Sequence, residues 1–263
     1  MNWHRAKTIL ICFFLFINAF LLYFNVSKSR YDSKINEQII GYTTDILKGN
    51  GISIDPEIIP KKRLFTPQFE ADNIITDYAE FAKSVLGKDA AKISDTEYSS
   101  AKGNLEFSGD SFNFTSSAPL FSGSLKRADA VSLLDGLGIK IGDFDYEKNG
   151  NSVILSNKAN DFNIFNSEIV IENTDTATKI SGIWFSKLGD NFPQNAELND
   201  ITSVLIDLLS SSQKPQGETS ITTLKLGYII YEPEKYHKTL VPIPVWCIEH
   251  TGGTVYMDAR ANS

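Results

Sequence analysis

The sequence predicts an α+β fold, in which a single N-terminal transmembrane helix precedes an extracytoplasmic domain of helices packed on antiparallel sheets. Two observations lead to this prediction. An uncharged apolar run of nineteen residues spans Thr8–Val26, and a helix of that length reaches about 28 Å, close to the ~30 Å hydrocarbon thickness of a bilayer. Further along the chain, segments with apolar residues every three to four positions precede segments in which apolar and polar residues alternate.

The apolar run favours an uncleaved membrane anchor over the alternatives. A signal peptide has a shorter apolar core of roughly 7–15 residues, followed by small residues at a cleavage site, and residues 25–30 here read NVSKSR. A buried helix is disfavoured because phenylalanines lie on all faces of the run. Two basic residues flank each end, and the large domain that follows indicates a cytoplasmic N-terminus with most of the chain outside.

The charge balance and the cysteines exclude some classes of function. Residues 1–30 hold four of the 25 basic residues and no acidic one. The rest of the chain therefore has 21 basic and 32 acidic residues, a net charge of −11. Such a domain does not bind nucleic acid through a general basic field. Cys12 lies inside the apolar run and Cys247 outside it, so they form neither an intramolecular disulfide nor a metal cluster. We expect Cys247 to be a buried strand residue.

Four helices are predicted after the apolar run, because apolar residues there recur at spacings of three and four. In the first of them, Ile35, Ile39, Tyr42 and Ile46 follow this spacing. Glycines mark several of the C-terminal ends, and three prolines favour an extended connector after the first helix. The predicted helices are Tyr31–Gly49, Gln68–Leu86, Leu125–Leu137 and Ala196–Ser212.

Strands are predicted wherever the apolar period falls to two. The pair Asn149-Gly150 suits a type I′ hairpin turn, and Gly109-Asp110 reads as a tight turn between two strands that contain phenylalanine. The predicted strands are Lys92–Ser99, Gly103–Ser108, Ser111–Ser116, Asp143–Lys148, Asn151–Ser156, Phe162–Asn173, Thr178–Lys187, Ser220–Tyr231, Val241–His250 and Thr254–Asp258.

A helix followed by strands occurs twice along the chain, which predicts two lobes. The predicted segments are a cytoplasmic N-terminus at 1–7, the transmembrane helix at 8–26, a stalk helix and connector at 27–67, a first lobe at 68–190 and a second lobe at 191–263.

No catalytic or metal-binding pattern is recognised in the sequence. The three histidines, His4, His237 and His250, lack a nearby set of acidic or thiol partners. The segment from Ser108 to Ser111 contains Gly-Asp between two serines, but a hairpin turn explains it better than a nucleophile site does. The sequence therefore predicts a non-enzymatic protein with no cofactor and no metal.

Three features of the chain together form a recognisable pattern. They are the opening MNW that runs into an apolar span containing Asn18, Ile52-Ser53-Ile54 followed by a proline-containing connector, and a C-terminal pattern of the form LGY, PxW and VYMDA. In these features the chain resembles the YycI-type proteins of the YycH/YycI family, which regulate a two-component system. The residues of that C-terminal pattern assigned to a structural family motif are Gly227, Tyr228, Pro244, Trp246, Tyr256 and Ala259.

This resemblance implies two PepSY-like or YycH-like lobes and a regulatory role. Family members are single-pass proteins of the plasma membrane in low-GC Gram-positive bacteria. They act with a YycH-type protein on a sensor histidine kinase of the WalK (YycG) type, which controls cell-wall metabolism. The partners that the resemblance implies are therefore this kinase and a YycH-type protein.

The resemblance also implies that membrane helices make the contact with the kinase. Asn18 places an amide near the middle of the bilayer, where a hydrogen bond to another helix is worth about 0.5–2 kcal/mol. The alternative is that Asn18 bonds its own backbone or a water defect. The residues predicted to form the contact are Phe14, Asn18, Leu21 and Asn25. The alternative function is an extracytoplasmic PepSY-like binding or protease-inhibitory module, for which the helix is only a tether.

Overall fold

The computed structural model describes residues 7, 11, 13–20, 35–189, 195–196, 198–231 and 240–261. Its helices are α1 (13–20), α2 (Glu37–Gly49), α3 (Tyr78–Leu86), α4 (Arg127–Gly136) and α5 (Ile201–Ser210), with a 3-10 turn at Pro56–Ile58. Its strands are β1 (Ile52–Ile54), β2 (Thr66–Pro67), β3 (Glu70–Asn73), β4 (Ala91–Lys92), β5 (Glu97–Ser100), β6 (Gly103–Ser108), β7 (Ser111–Ser116), β8 (Phe144–Asn149), β9 (Ser152–Ala159), β10 (Phe162–Asn173), β11 (Thr178–Ile183), β12 (Phe185–Gly189), β13 (Asn195–Ala196), β14 (Thr219–Ile229), β15 (Ile243–His250) and β16 (Gly253–Asp258).

The predicted α+β class is wrong, because the protein is mostly β. Strands hold 41% of the described residues and helices 25%, and a large mixed sheet dominates. Backbone pairing joins twelve of the described strands into that sheet. It is mixed rather than antiparallel because β14 pairs in parallel with both β1 and β10. These partners lie far apart in the chain, so local periodicity does not encode their direction.

The described part of the chain does not show the predicted transmembrane helix at 8–26. Within the described residues, no helix is long and apolar enough to span a membrane. In this region the described residues 7, 11 and 13–20 are helical. Residues 8–10, 12 and 21–26 of the predicted span lie outside the described part of the chain. The finding contradicts the predicted single-pass anchor and the plasma-membrane localisation based on it.

The chain divides into two compact units, and each is discontinuous in sequence. The lobes predicted from the sequence are instead consecutive segments, 68–190 and 191–263. Unit 1 comprises Met1–Leu64, Asn199–Leu224 and Ile248–Val255, and unit 2 comprises Phe65–Leu198, Lys225–Cys247 and Tyr256–Ser263.

Unit 1 is built on helix α2, which packs against α5 and β1. The helix begins where the Asn36 side chain accepts a hydrogen bond from the backbone N–H of Gln38 at 2.9 Å, a standard N-cap. Ile40 and Leu47 are buried on its inner face. Strand β1 then pairs in parallel with the start of β14, with Ile52 opposite Thr219.

Unit 2 is centred on the long strand β10, which pairs antiparallel with β9 and β11 and in parallel with β14. Its main core packs α3 and α4 against apolar side chains of the sheet. This packing stabilises the unit because it removes apolar surface from water. The largest fully buried side chains in this core are Trp184, Phe112, Phe114, Leu86, Leu105, Leu134 and Ile139.

The predicted hairpins of unit 2 are confirmed. Strands β6 and β7 pair around Gly109-Asp110, with Phe107 opposite Phe112, and β10 and β11 pair with Asn173 opposite Thr178. The β8–β9 hairpin also forms, but its register shifts the turn by one residue, to Gly150-Asn151. Gly150 has a φ of 60° and Asn151 is not among the residues with positive φ, which fits a type II′ turn rather than type I′.

The predicted helix at Gln68–Leu86 is wrong in its first half. Glu70–Asn73 forms β3, which pairs antiparallel with β12, and only Tyr78–Leu86 is helical. The helix begins after Asp77, whose carboxylate accepts a hydrogen bond from the N–H of Glu80 at 2.9 Å. Pairing with a distant strand therefore outweighs the local helical spacing.

Candidate functional site

Helix α2 exposes a row of large apolar side chains on the surface of unit 1. Ile39 is 48% exposed, Tyr42 68% and Ile46 48%. Their spacing of three and four places them on one face of the helix. Ile40 and Leu47, at 4% and 0% exposure, turn into the core instead. The helix thus carries an apolar arc, of which one part is buried and the other, here called the α2 stripe (Ile39, Tyr42 and Ile46), faces solvent.

The α2 stripe has the character of a helix-recognition surface. Single exposed apolar residues are common on proteins and need no explanation, but a contiguous row marks a site of interaction. Anchors at i, i+3 and i+7 are the arrangement by which an amphipathic helix binds an apolar groove or another helix. The exposed charges of α2, Glu37, Asp45 and Lys48, lie outside the row. The stripe therefore offers uncharged area for a partner.

The residues predicted to contact the kinase are only partly described. Phe14 is 56% exposed, and the Nδ2 of Asn18 donates a hydrogen bond to the carbonyl of Phe14 at 3.0 Å. The structure thus shows the alternative in which Asn18 bonds its own backbone, through one of its two amide protons. Leu21 and Asn25 lie outside the described residues. The contact itself stays a prediction.

The C-terminal motif residues lie in unit 2, on or just after the neighbouring strands β14, β15 and β16. A Cβ added at Gly227 would lie 2.5 Å from the carbonyl oxygen of Asn163 and 2.6 Å from Cε2 of Phe165, so only glycine fits beside β10. The ring of Phe165 also contacts that of Tyr256, with centroids 5.4 Å apart. The motif therefore brings strands into close contact and stabilises the fold.

Pro244 and Ala259 also meet, because the N–H of Ala259 donates to the carbonyl of Pro244 at 2.9 Å. Trp246 is 3% exposed, and its Nε1 finds no hydrogen-bond partner among the described residues. The neighbouring Cys247 is buried, as predicted. These contacts give the motif a role in packing.

Tyr228 is the most deeply placed polar group of the motif. It is 1% exposed, and its hydroxyl donates a hydrogen bond to the carbonyl of Pro67 at 2.6 Å. Burial raises the pKa of the Tyr228 phenol above its ordinary value of 10.0, because the charged phenolate is poorly solvated there. The side chain is therefore a neutral structural donor at physiological pH.

Unit 2 contains a cleft with a volume of about 500 Å³, which the sequence does not predict. Its lining includes the β9–β10 turn, where Asn160 and Asp161 have φ values of 52° and 68°. An Asn-Asp pair between two alternating strands is a turn signal that the sequence contains. The other lining segments come from distant parts of the chain, so no sequence pattern reveals them. No group of three or more potential metal ligands occurs among the described residues.

Comparison with known proteins leaves the family open. No protein-family model matches the chain, and no curated protein matches its sequence. A solved structure of an uncharacterized protein from Eubacterium rectale ATCC 33656 is similar, with 10% sequence identity, coverage of 88% of this chain and 99% of that chain, and a TM-score of 0.43. A likeness at this level assigns no function. The resemblance to YycI-type proteins stays a prediction.

Proposed function

We propose that this protein is a non-enzymatic regulator of the YycI type. It binds a YycH-type protein and, together with it, adjusts a WalK-type sensor histidine kinase that controls cell-wall metabolism. The observation that supports binding is the α2 stripe of unit 1, with three large apolar side chains that are about half exposed or more. The choice of partners rests on the sequence motifs that resemble the family.

The stripe supplies affinity because a partner helix removes it from water. Covering the exposed half of one isoleucine is worth about 1 kcal/mol, and an aromatic residue at the centre of an interface contributes more. Tyr42 stands between the two isoleucines, where an aromatic anchor contributes most. Its hydroxyl can also reach a polar group at the edge of the interface.

Regulation follows if the complex prefers one state of the kinase. A bound regulator shifts a two-state equilibrium only by its difference in affinity for the two states, typically about 1–3 kcal/mol. No chemistry is required of this chain. The protein acts as a ligand of the signalling complex.

The test is to replace the stripe with polar residues that favour helices. In the full-length protein, the combined variant Ile39→Gln, Tyr42→Gln and Ile46→Gln keeps the buried face of α2 intact. We expect its affinity for a purified YycH-type protein of the same organism, measured by titration calorimetry, to fall at least about tenfold. A kinase-dependent reporter in cells should lose regulation in parallel.

The matched control is the variant Glu37→Gln with Lys48→Gln, which changes two exposed residues of the same helix outside the stripe. It should bind like the wild type. Circular dichroism checks that both variants keep their fold. Leu47→Ala, which truncates a side chain with 0% exposure, serves as the reference for a destabilised variant. A folded stripe variant that binds the partner with wild-type affinity would reject the proposal.

A further inference from the structure

The cleft of unit 2 has the size and lining of a small-molecule site. Its volume of about 500 Å³ lies within the range of roughly 300–1,000 Å³ found for ligand pockets. Lys140–Asp143 precede β8 and form one wall, and Asn157–Asp161 at the end of β9 form another. Phe185 and Ser186 of β12 complete the lining together with Ile164.

A buried amide at the cleft has one of its polar atoms without a partner. Asn157 is 3% exposed, and its Nδ2 donates hydrogen bonds to Oγ of Ser167 at 2.8 Å and to the carbonyl of Phe185 at 2.7 Å. The carbonyl acceptor fixes which end of the amide is nitrogen. No described residue donates to the Oδ1 of Asn157. This oxygen is therefore open to accept a hydrogen bond from a ligand.

The charges at the cleft favour a cation. Lys158 is paired with Asp145, with 3.2 Å between Nζ and Oδ1, and so adds little positive potential. Asp143 and Asp161 are exposed lining residues and form no ion pair with a described residue. Lys140 lies on the same wall. With Lys158 neutralised by Asp145, a residue outside the lining, the charges of Lys140, Asp143 and Asp161 sum to −1. Carboxylates and an amide oxygen together match the three donors of an ammonium group.

The cleft also has apolar surface. Ile164 and Phe185 are buried lining residues at 3% and 4% exposure, and Ile141 is partly buried beside them. Apolar lining with a few convergent polar groups is typical of sites that bind small organic molecules. The ligand is thus expected to carry an aliphatic group next to its donor.

We propose that this cleft binds a small organic ammonium compound with a short aliphatic group, and that Asn157, Asp143 and Asp161 accept its hydrogen bonds. This site lies wholly in unit 2 and is independent of the α2 stripe. A protein that fails to bind a YycH-type partner could still bind such a ligand, and the reverse also holds.

The probe for this site is 3-methylbutylamine, titrated into the ¹⁵N-labelled full-length protein and followed by chemical shifts. The comparison probe is 3-methylbutanoate, which has the same aliphatic group but only acceptors at neutral pH. We expect the amine to shift the Asn157 side-chain amide and the backbone signals of the β9–β10 turn. The carboxylate should leave them unchanged.

Variants at the edge of the cleft keep the fold intact, whereas replacing Asn157 would disturb its bonds to Ser167 and Phe185. We expect Asp143→Asn and Asp161→Asn each to weaken amine binding about two- to fivefold, as for exposed charge pairs. Asparagine tolerates the φ of 68° at position 161. Lys140→Gln should strengthen binding because it removes a like charge.

The matched control is Asp175→Asn, an exposed aspartate of the β10–β11 turn that does not line the cleft. Its affinity for the amine should equal that of the wild type. Three results would each overturn the proposal. They are no saturable binding of the amine, equal binding of the carboxylate, and an amine affinity that Asp143→Asn and Asp161→Asn leave unchanged.

Discussion

The hydroxyl of Tyr228 donates a hydrogen bond of 2.6 Å to the carbonyl of Pro67, a residue 161 positions earlier in the chain. Phe69 packs its ring edge-on against the same tyrosine, with centroids 4.9 Å apart. Within unit 2, this contact ties β14 to β2. A residue that resembles a family motif thus serves to hold two distant segments together.

Tyr228→Phe should lower the free energy of unfolding by about 1–2 kcal/mol. The variant keeps the ring but leaves the Pro67 carbonyl without the donor, and an unmatched buried polar atom carries a desolvation cost. Urea denaturation measures the difference. The control is Tyr231→Phe, because Tyr231 is 58% exposed and its hydroxyl can bond to water; a loss of equal size there would contradict the interpretation.

The stability of the wild type should decline above pH 10 more steeply than that of Tyr228→Phe. The folded state raises the pKa of Tyr228 above 10.0, so above that pH the folded state retains a proton that the unfolded chain has lost. Stability therefore falls as pH rises, by at most about 1.4 kcal/mol per pH unit from this group. Urea midpoints of both proteins at pH 8 and pH 11 test this. A difference that is constant across this range would refute it.

Gly227→Ala and Gly41→Ala should change stability in opposite directions. A Cβ at position 227 would lie 2.5 Å from a backbone oxygen of Asn163, whereas a Cβ at position 41 meets nothing within 4 Å. The first variant should lose about 1–3 kcal/mol by overpacking. The second should gain about 0.5–1 kcal/mol, since alanine favours the interior of α2. Thermal unfolding compares the two, and a stable Gly227→Ala would show that β10 can move aside.

Local patterns in the sequence predicted the hairpins with good accuracy. The predicted bounds of β6, β7 and β10 equal those of the structure, because alternation and turn residues act between neighbours in the chain. The same holds for the end of α2 at Gly49. In the β8–β9 hairpin both predicted strands form, but each begins one residue later than predicted, β9 extends three residues further, and the turn is displaced by one residue.

Pairings between distant segments were not predictable in this way. Residues 70–73 have a helix-compatible pattern, yet they pair with β12, more than a hundred positions later. The predicted strand Thr178–Lys187 is interrupted after Ile183 because its second part, β12, joins β3 instead. Each pairing depends on which edge is available once other strands have assembled.

The two candidate sites also differ in how much of them the sequence predicts. The helical spacing of Ile39, Tyr42 and Ile46 is visible in the sequence, but only packing against α5 and β1 shows that Ile40 and Leu47 are buried and the stripe is not. The cleft around Asn157 was missed because its walls come from segments that fold together.

The sequence alone thus determined the local elements of this protein: the turns, most strands, the cores of the helices and the motif residues that resemble a family. Tertiary structure decided the rest: the mixed direction of the sheet, the strand at 70–73, the exposed face of α2 and the role of the C-terminal motif in packing. The physical reason is the separation along the chain between the residues that interact. Periodicity and turn chemistry act over a few residues, whereas burial and strand pairing are settled only when distant segments compete for the same partners.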